Sequence, residues 1–170
     1  LGDHISLYCT DTKGYVFTDR NGSTLNSVYV YTGQDPEKPE NIPNPQVATF
    51  KVVTQNRYKL NKKYRRLKEL TEAERNVDVT GLAEEEEDSK EDEALAVAKR
   101  SAEAEEQDNS SELRRLRGRP VTYGDVVQLK HVFTQKYIHV DHNRTIIRDK
   151  SKLEVKLLPY NGKTAQFKIR

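Results

Sequence analysis

A mainly β fold of repeated four-strand units, the β-trefoil, is predicted by two observations. The first is an internal repeat. Residues 1–19 (LGDHISLYCTDTKGYVFTD) align without a gap on the stretch that lies within 121–141 (VTYGDVVQLKHVFTQKYIHVD). Gly2 and Asp3 match Gly124 and Asp125. Ile5 and Leu7 match Val127 and Leu129, and Thr12, Tyr15, Val16 and Asp19 match Thr134, Tyr137, Ile138 and Asp141. The second is that both copies continue in the same way. A third alternating segment follows at 27–31 and at 153–157, then a fourth at 48–53 (ATFKVV) and at 165–170 (AQFKIR). Each unit is thus four short strand-like segments in roughly 50 residues, too little to close a barrel, whereas three units make a trefoil.

In the first strand of each unit, Ile5 and Leu7, like Val127 and Leu129, face a core, while Ser6, Gln128 and Lys130 face away. Gly14 ahead of the second strand, and Asn161-Gly162 between the last two, are expected to supply tight turns with positive φ. The segment 33–46 (GQDPEKPENIPNPQ) holds four of the six prolines and reads as an extended surface loop without helix or ladder. The domain reading is a first lobe at 1–53, an inserted charged arm at 54–118 and a second lobe at 119–170. A third lobe is expected beyond Arg170, so the chain reads as a piece of something longer, with strand edges left open.

The insertion turns abruptly to charge and helix formers. Leu60, Tyr64, Leu67 and Leu70 recur at three or four, one narrow stripe on a helix over about 57–76. Opposite it stand Arg57, Lys59, Lys62, Lys63, Arg65, Arg66 and Lys68. Residues 77–81 break that helix, 84–93 (EEEEDSKEDE) are strongly acidic, and 94–106 return to a helical pattern through Leu95, Ala98 and Ala102. Residues 108–111 read as a loop, and Arg114, Arg115, Arg117 and Arg119 lead back into the second lobe. The prediction is a basic and an acidic helix in an antiparallel hairpin. Exposed ion pairs contribute about 0–1 kcal/mol each, so charge alone does not hold it. An arm with so thin an apolar face is expected to protrude and to serve contact.

Composition excludes several classes. No apolar run approaches the ~18 residues of a membrane span. The single cysteine, Cys9, rules out an internal disulfide, and a net charge of +2 is too small to argue for nucleic acid. No catalytic constellation stands out. His131 and His139 fall on adjacent strands, but no Cys, Asp or Glu accompanies them at metal-site spacing, and these and His4 and His142 read as structural or surface groups. Asp3 and Asp125, each after a glycine, read as turn caps. The acidic run lacks the alternating ligands and central glycine of a calcium loop, and no phosphate-cradling glycine loop is present. Three sequons, at Asn21, Asn109 and Asn143, matter only in a secretory lumen.

Phe50-Lys51-Val52, Asn56-Arg57-Tyr58, Lys62-Lys63-Tyr64, the segment 123–129 (YGDVVQL) and Lys136-Tyr137 together resemble the amino-terminal domain of inositol 1,4,5-trisphosphate receptors. The YGDVVQL segment suits any MIR-type trefoil, including those of ryanodine receptors and lumenal protein mannosyltransferases. The junction from Phe-Lys-Val through Asn-Arg-Tyr into a charged helical arm is narrower. The family commonly carries a tryptophan near Tyr64, where this chain has Arg65 and Arg66 and no tryptophan at all.

The resemblance implies a non-enzymatic regulatory domain of a calcium-release channel on the cytosolic face of the endoplasmic reticulum. Such a domain does not bind the inositol phosphate itself and needs no cofactor of its own; inositol trisphosphate and calcium gate the parent channel. Its partners would be the ligand-binding core of the same chain and neighbouring subunits of a homotetramer, with no nucleic acid, and with the membrane reached only through the distant channel region. The contact residues expected on the arm are Tyr58, Lys62, Lys63, Tyr64, Arg65, Arg66, Leu67 and Leu70. The competing readings are a MIR domain of a ryanodine receptor or of a mannosyltransferase, a generic trefoil interaction module, and, for the arm alone, a calmodulin-target or membrane-surface helix.

Overall fold

The computed structural model describes residues 1–18, 27–32, 44–77, 85–146 and 149–170. The chain divides into two compact units. Residues 1–56 with 113–170 form a β unit, and residues 57–112 form a helical one.

The β unit is antiparallel throughout. A six-stranded sheet runs β1 (His4–Ile5), β5 (Phe50–Thr54), β6 (Val126–His131), β7 (Tyr137–Ile146) and β8 (Asp149–Leu158), with β9 (Phe167–Lys168) paired to β6. A three-stranded sheet joins β2 (Tyr8–Cys9), β3 (Gly14–Thr18) and β4 (Val28–Thr32). The repeat is visible in the register. His4 faces Lys51 and Ile5 faces Phe50 as Val126 faces Lys168 and Val127 faces Phe167. Gly2 N donates to Val52 O (2.8 Å) and Val52 N to Asp3 O (3.0 Å). In the second copy Gly124 N donates to Ile169 O (2.9 Å) and Ile169 N to Asp125 O (2.9 Å). This clasp sets the glycine φ at +89° and +91°, a region that side chains rarely adopt, which accounts for glycine at both positions.

Three expectations are corrected, two of them identically in both copies. The fourth strand starts later than its alternation suggested, at Phe50 and at Phe167. The alanines ahead of it, Ala48 and Ala165, close a short helical turn, α1 (Pro45–Ala48) in one copy and a 3-10 turn (Lys163–Ala165) in the other, and both are fully buried. The first hairpin of the first copy takes its positive φ at Lys13 (+48°) rather than Gly14, as the equivalent hairpin of the second copy does at Gln135 (+58°); between β8 and β9, Gly162 is extended. In the second hairpin Gln135 N donates to His131 O and His131 N to Lys136 O, so the ladder closes around a left-handed glutamine. Finally, the proline-rich segment does not stay loop to its end. Pro45 occupies the first turn of α1, where its missing N–H costs nothing, and Asn44 accepts from Gln46 N (2.9 Å) as the cap. The rest of that segment, 33–43, lies outside the described residues, as do Asp19, Asn21 and the expected helix break at 78–81.

Three small clusters make the core. Phe50, Ile138 and Leu157 form one, with Leu7, Val16 and Leu129 around it. Leu1, Val52 and Val127 form the second, and Val53, Tyr137 and Ala165 the third, against Leu113. Among them lies the buried ring of His131, 5.3 Å from the Phe50 ring. Its Nδ1 accepts the Thr134 N–H (3.3 Å) and pairs with Thr134 Oγ1 (2.9 Å), while Nε2 points to Thr18 Oγ1 (3.4 Å), which itself donates to Val47 O (3.3 Å). The acceptor role of Nδ1 requires the neutral ring. Burial accordingly holds the His131 pKa below its ordinary 6.5, against a smaller opposing pull from the Val47 and Gln46 backbone. The unfolded chain takes up the proton first, so this contribution to stability is complete above about pH 6.5 and is lost as pH falls below it. Urea titrations between pH 5 and 7.5 should show stability declining toward pH 5, by at most ~1.4 kcal/mol per unit from this group. His131→Gln should flatten that decline, and an unchanged pH slope in the variant would rule the assignment out.

In the helical unit, the helix expected over about 57–76 is α2 (Lys59–Val77), of nearly the same extent, whereas α3 (Glu85–Arg115) is much longer than the pattern over 94–106 indicated. The expected loop at 108–111 does not exist, because α3 runs straight through it. Asp, Asn and Ser are poor helix formers whose side chains compete for the backbone. Here Asn109 is buried and occupied elsewhere, as described next.

Candidate functional site

The start of α2 is built by α3. Tyr58 O accepts from Lys62 N (2.9 Å), so Tyr58 is the capping residue and the N–H groups that follow need outside acceptors. Glu105 supplies them: Oε1 accepts from Leu60 N (3.2 Å) and Oε2 from Asn61 N (3.0 Å). One turn further on, Asn109 clamps the preceding residue, accepting from Arg57 N (2.8 Å) and donating to Arg57 O (2.9 Å). With Ala98 and Ala102 these form one buried stripe on α3, spaced four, three and four. A carboxylate at the amino end of a helix whose first three turns carry only basic charge also suits the helix dipole. The Arg57–Asp108 ion pair beside it (3.7 Å) is exposed on both sides and adds little.

This packing decides which of the expected contact residues are presented. Lys62, Lys63 and Arg66 are exposed, and Tyr58, Tyr64, Arg65 and Leu67 are half-buried. Leu70 is 49% exposed and Leu60 43% exposed, so the ends of the expected apolar stripe lie open. The face turned inward runs through Tyr64 and Leu67 to the buried Thr71. Across from it Val97 of α3 is 55% exposed. Between the helices runs a groove of about 540 Å³, walled by Leu60, Lys63 and Leu67 of α2 and by Ala94, Val97 and Ser101 of α3 over a floor at Ala98, with Glu93 at one end. The basic side chains were legible in the sequence pattern; Glu105 and Asn109 were missed, because polar residues at stripe positions carry no apolar signal.

His131 and His139 are structural. His131 is engaged as above, and His139 is held by Thr164 Oγ1 (2.8 Å) and Tyr160 O (2.7 Å), so the two do not share a site. A second, polar concavity of about 300 Å³ lies beside His139, where Asp141 and Glu154 stand on facing strands and Lys156 pairs with Glu154 (2.8 Å). Among the described residues no group of three His, Cys, Asp or Glu side chains is arranged to hold a metal ion. Asp125 caps its turn as expected, accepting from Thr122 N (2.9 Å) and Thr122 Oγ1 (3.1 Å) beside Arg119, and these bonds hold its carboxyl below the usual range. The Asn109 sequon lies inside α3 with both side-chain amide atoms bonded, so a glycan there would cost the clamp on Arg57. No helix among the described residues is long and apolar enough to cross a membrane.

Several residues that carried the resemblance bond to one another within the β unit. Thr54 Oγ1 donates to Asn56 Oδ1 (3.4 Å), Asn56 N to Gln128 Oε1 (3.3 Å) and Asn56 Nδ2 to Tyr137 Oη (3.4 Å). In a comparison with protein families, the model described as inositol 1,4,5-trisphosphate/ryanodine receptor matches residues 1–170.

Proposed function

Because the chain belongs to the inositol 1,4,5-trisphosphate/ryanodine receptor family, we propose that it is the regulatory, coupling part of an inositol trisphosphate-gated calcium-release channel at the cytosolic face of the endoplasmic reticulum. In this reading the β unit is two lobes of a trefoil completed by a third. It contacts the ligand-binding core and neighbouring subunits, favours the unliganded arrangement and thereby lowers ligand affinity. The observation that carries the reading is the family match over residues 1–170. The Asn56-Arg57-Tyr58 motif leading into a charged helical arm favours the inositol trisphosphate branch over the ryanodine branch by resemblance.

The test is reconstitution. Adding this chain to a separately expressed ligand-binding core should lower inositol trisphosphate affinity about 5-fold or more, the scale of a coupling free energy of 1–3 kcal/mol. A core whose ligand affinity is unmoved by saturating amounts of the chain would refute the coupling role.

A further inference from the structure

The groove on the helical unit is shaped for one kind of occupant. On α2 its wall is Leu60, Lys63 and Leu67, and on α3 it is Ala94, Val97, Ala98 and Ser101. These are positions i, i+3, i+7 and i, i+3, i+4, i+7, so each wall is one continuous helix face about 10 Å long. Strand addition requires an open sheet edge, and two helices offer none. Recognition of proline-rich segments requires an aromatic-lined groove, and among the described residues no aromatic side chain lines this one. Ala94, Ala98 and Ser101 are small, which lets another helix axis come close. Charge then selects the partner along the α2 wall: Lys59, Lys62, Lys63 and Arg66 are exposed and the first acid of α2 is Glu69, while the one acid lining the groove among the described residues, Glu93, stands at its end on α3.

We infer that the groove takes an amphipathic helix of a partner protein, seating apolar residues at i, i+3 or i+4, and i+7 between Leu60, Leu67 and Val97 and laying an acidic flank along Lys63. The inference deepens the coupling reading, since it names the kind of element this contact surface receives. Lys63 sets the orientation and register of the bound helix, and Val97 and Leu60 provide the buried contact.

The probe is a synthetic peptide of about 20 residues, long enough to form helix, with leucines on one face and glutamates flanking them. It is titrated into the full chain by fluorescence anisotropy. Controls are a lysine-flanked version, a scramble that scatters the leucines, and anionic phospholipid vesicles. The glutamate-flanked peptide should bind saturably, and Val97→Glu should weaken it tenfold or more. Lys63→Glu, a surface change that leaves the helix pairing alone, should weaken it about 3- to 10-fold and reverse the preference toward the lysine-flanked peptide. The proposal is overturned if scramble and patterned peptides bind alike, if neither binds, if both variants bind as the parent does, or if vesicles alone compete through Val97. The coupling reading stands or falls separately, on ligand affinity of the core. Peptide binding without an effect there keeps the groove and removes the coupler.

Discussion

Replacing Phe50 by alanine is expected to cost about 3–5 kcal/mol of folding free energy, the range for large-to-small changes in a packed core. Phe50 is fully buried and sits where three parts of the β unit meet. On its own strand it is registered against Ile5 of β1 on one side and His131 of β6 on the other. Its ring lies in the cluster with Ile138 and Leu157 and against the His131 imidazole. The truncation therefore leaves a cavity and also removes packing from the ring whose hydrogen bond to Thr18 joins the two copies of the repeat. Since small proteins retain only about 5–15 kcal/mol in total, the variant should have a greatly lowered urea midpoint or be unfolded. The second copy provides an internal control. Phe167 holds the same repeat position but is only half-buried, so Phe167→Ala should lose less. Equal losses for the two would mean that the repeat positions are energetically equivalent despite their different burial, against this account.

How far the sequence revealed this fold depends on whether the partner of each residue is near or far along the chain. Alternation at Val127 and Leu129 and the paired Gly-Asp entries are local signals, and they located β6 and the clasps of both copies. In the first copy the strand expected through Ile5 and Leu7 divides into β1 and β2 of different sheets, and Gln128, expected to face away, is fully buried. The beginnings of the fourth strands were not legible, because Ala48 and Ala165 suit strand burial and a buried helical turn alike. The proline-rich segment misled for a related reason: composition reports that proline cannot continue a helix, not that Pro45 opens one. In the helical unit the basic face of α2 was legible, but the polar residues 108–111 read as loop. Asn109 is spent on the backbone of Arg57, 52 residues away, and nothing within its own helix announces that. The surface residues were found by type, while their degree of exposure depended on the unread caps.

Those caps make the second large prediction. Glu105→Ala should cost about 2–3 kcal/mol, because the side chain is buried and carries charge-assisted bonds from two amides that no intrahelical carbonyl can reach. The loss adds desolvated Leu60 and Asn61 N–H groups to the loss of a negative charge at the positive end of α2. Glu105→Gln keeps an acceptor of the same shape and should recover about half, which separates hydrogen bonding from charge. Asn109→Ala, losing one bond each way with Arg57, should cost about 1–2 kcal/mol. The readouts are urea unfolding followed by helical circular dichroism, and amide exchange at Leu60 and Asn61, which should speed up in the glutamate variants and change less in the asparagine one. Unaltered exchange at those two amides in Glu105→Ala would falsify the capping role. It would also imply that the small Ala98 and Ala102 contacts hold α2 against α3 unaided, a burden that two alanines are poorly suited to bear, since each removes so little apolar area from water.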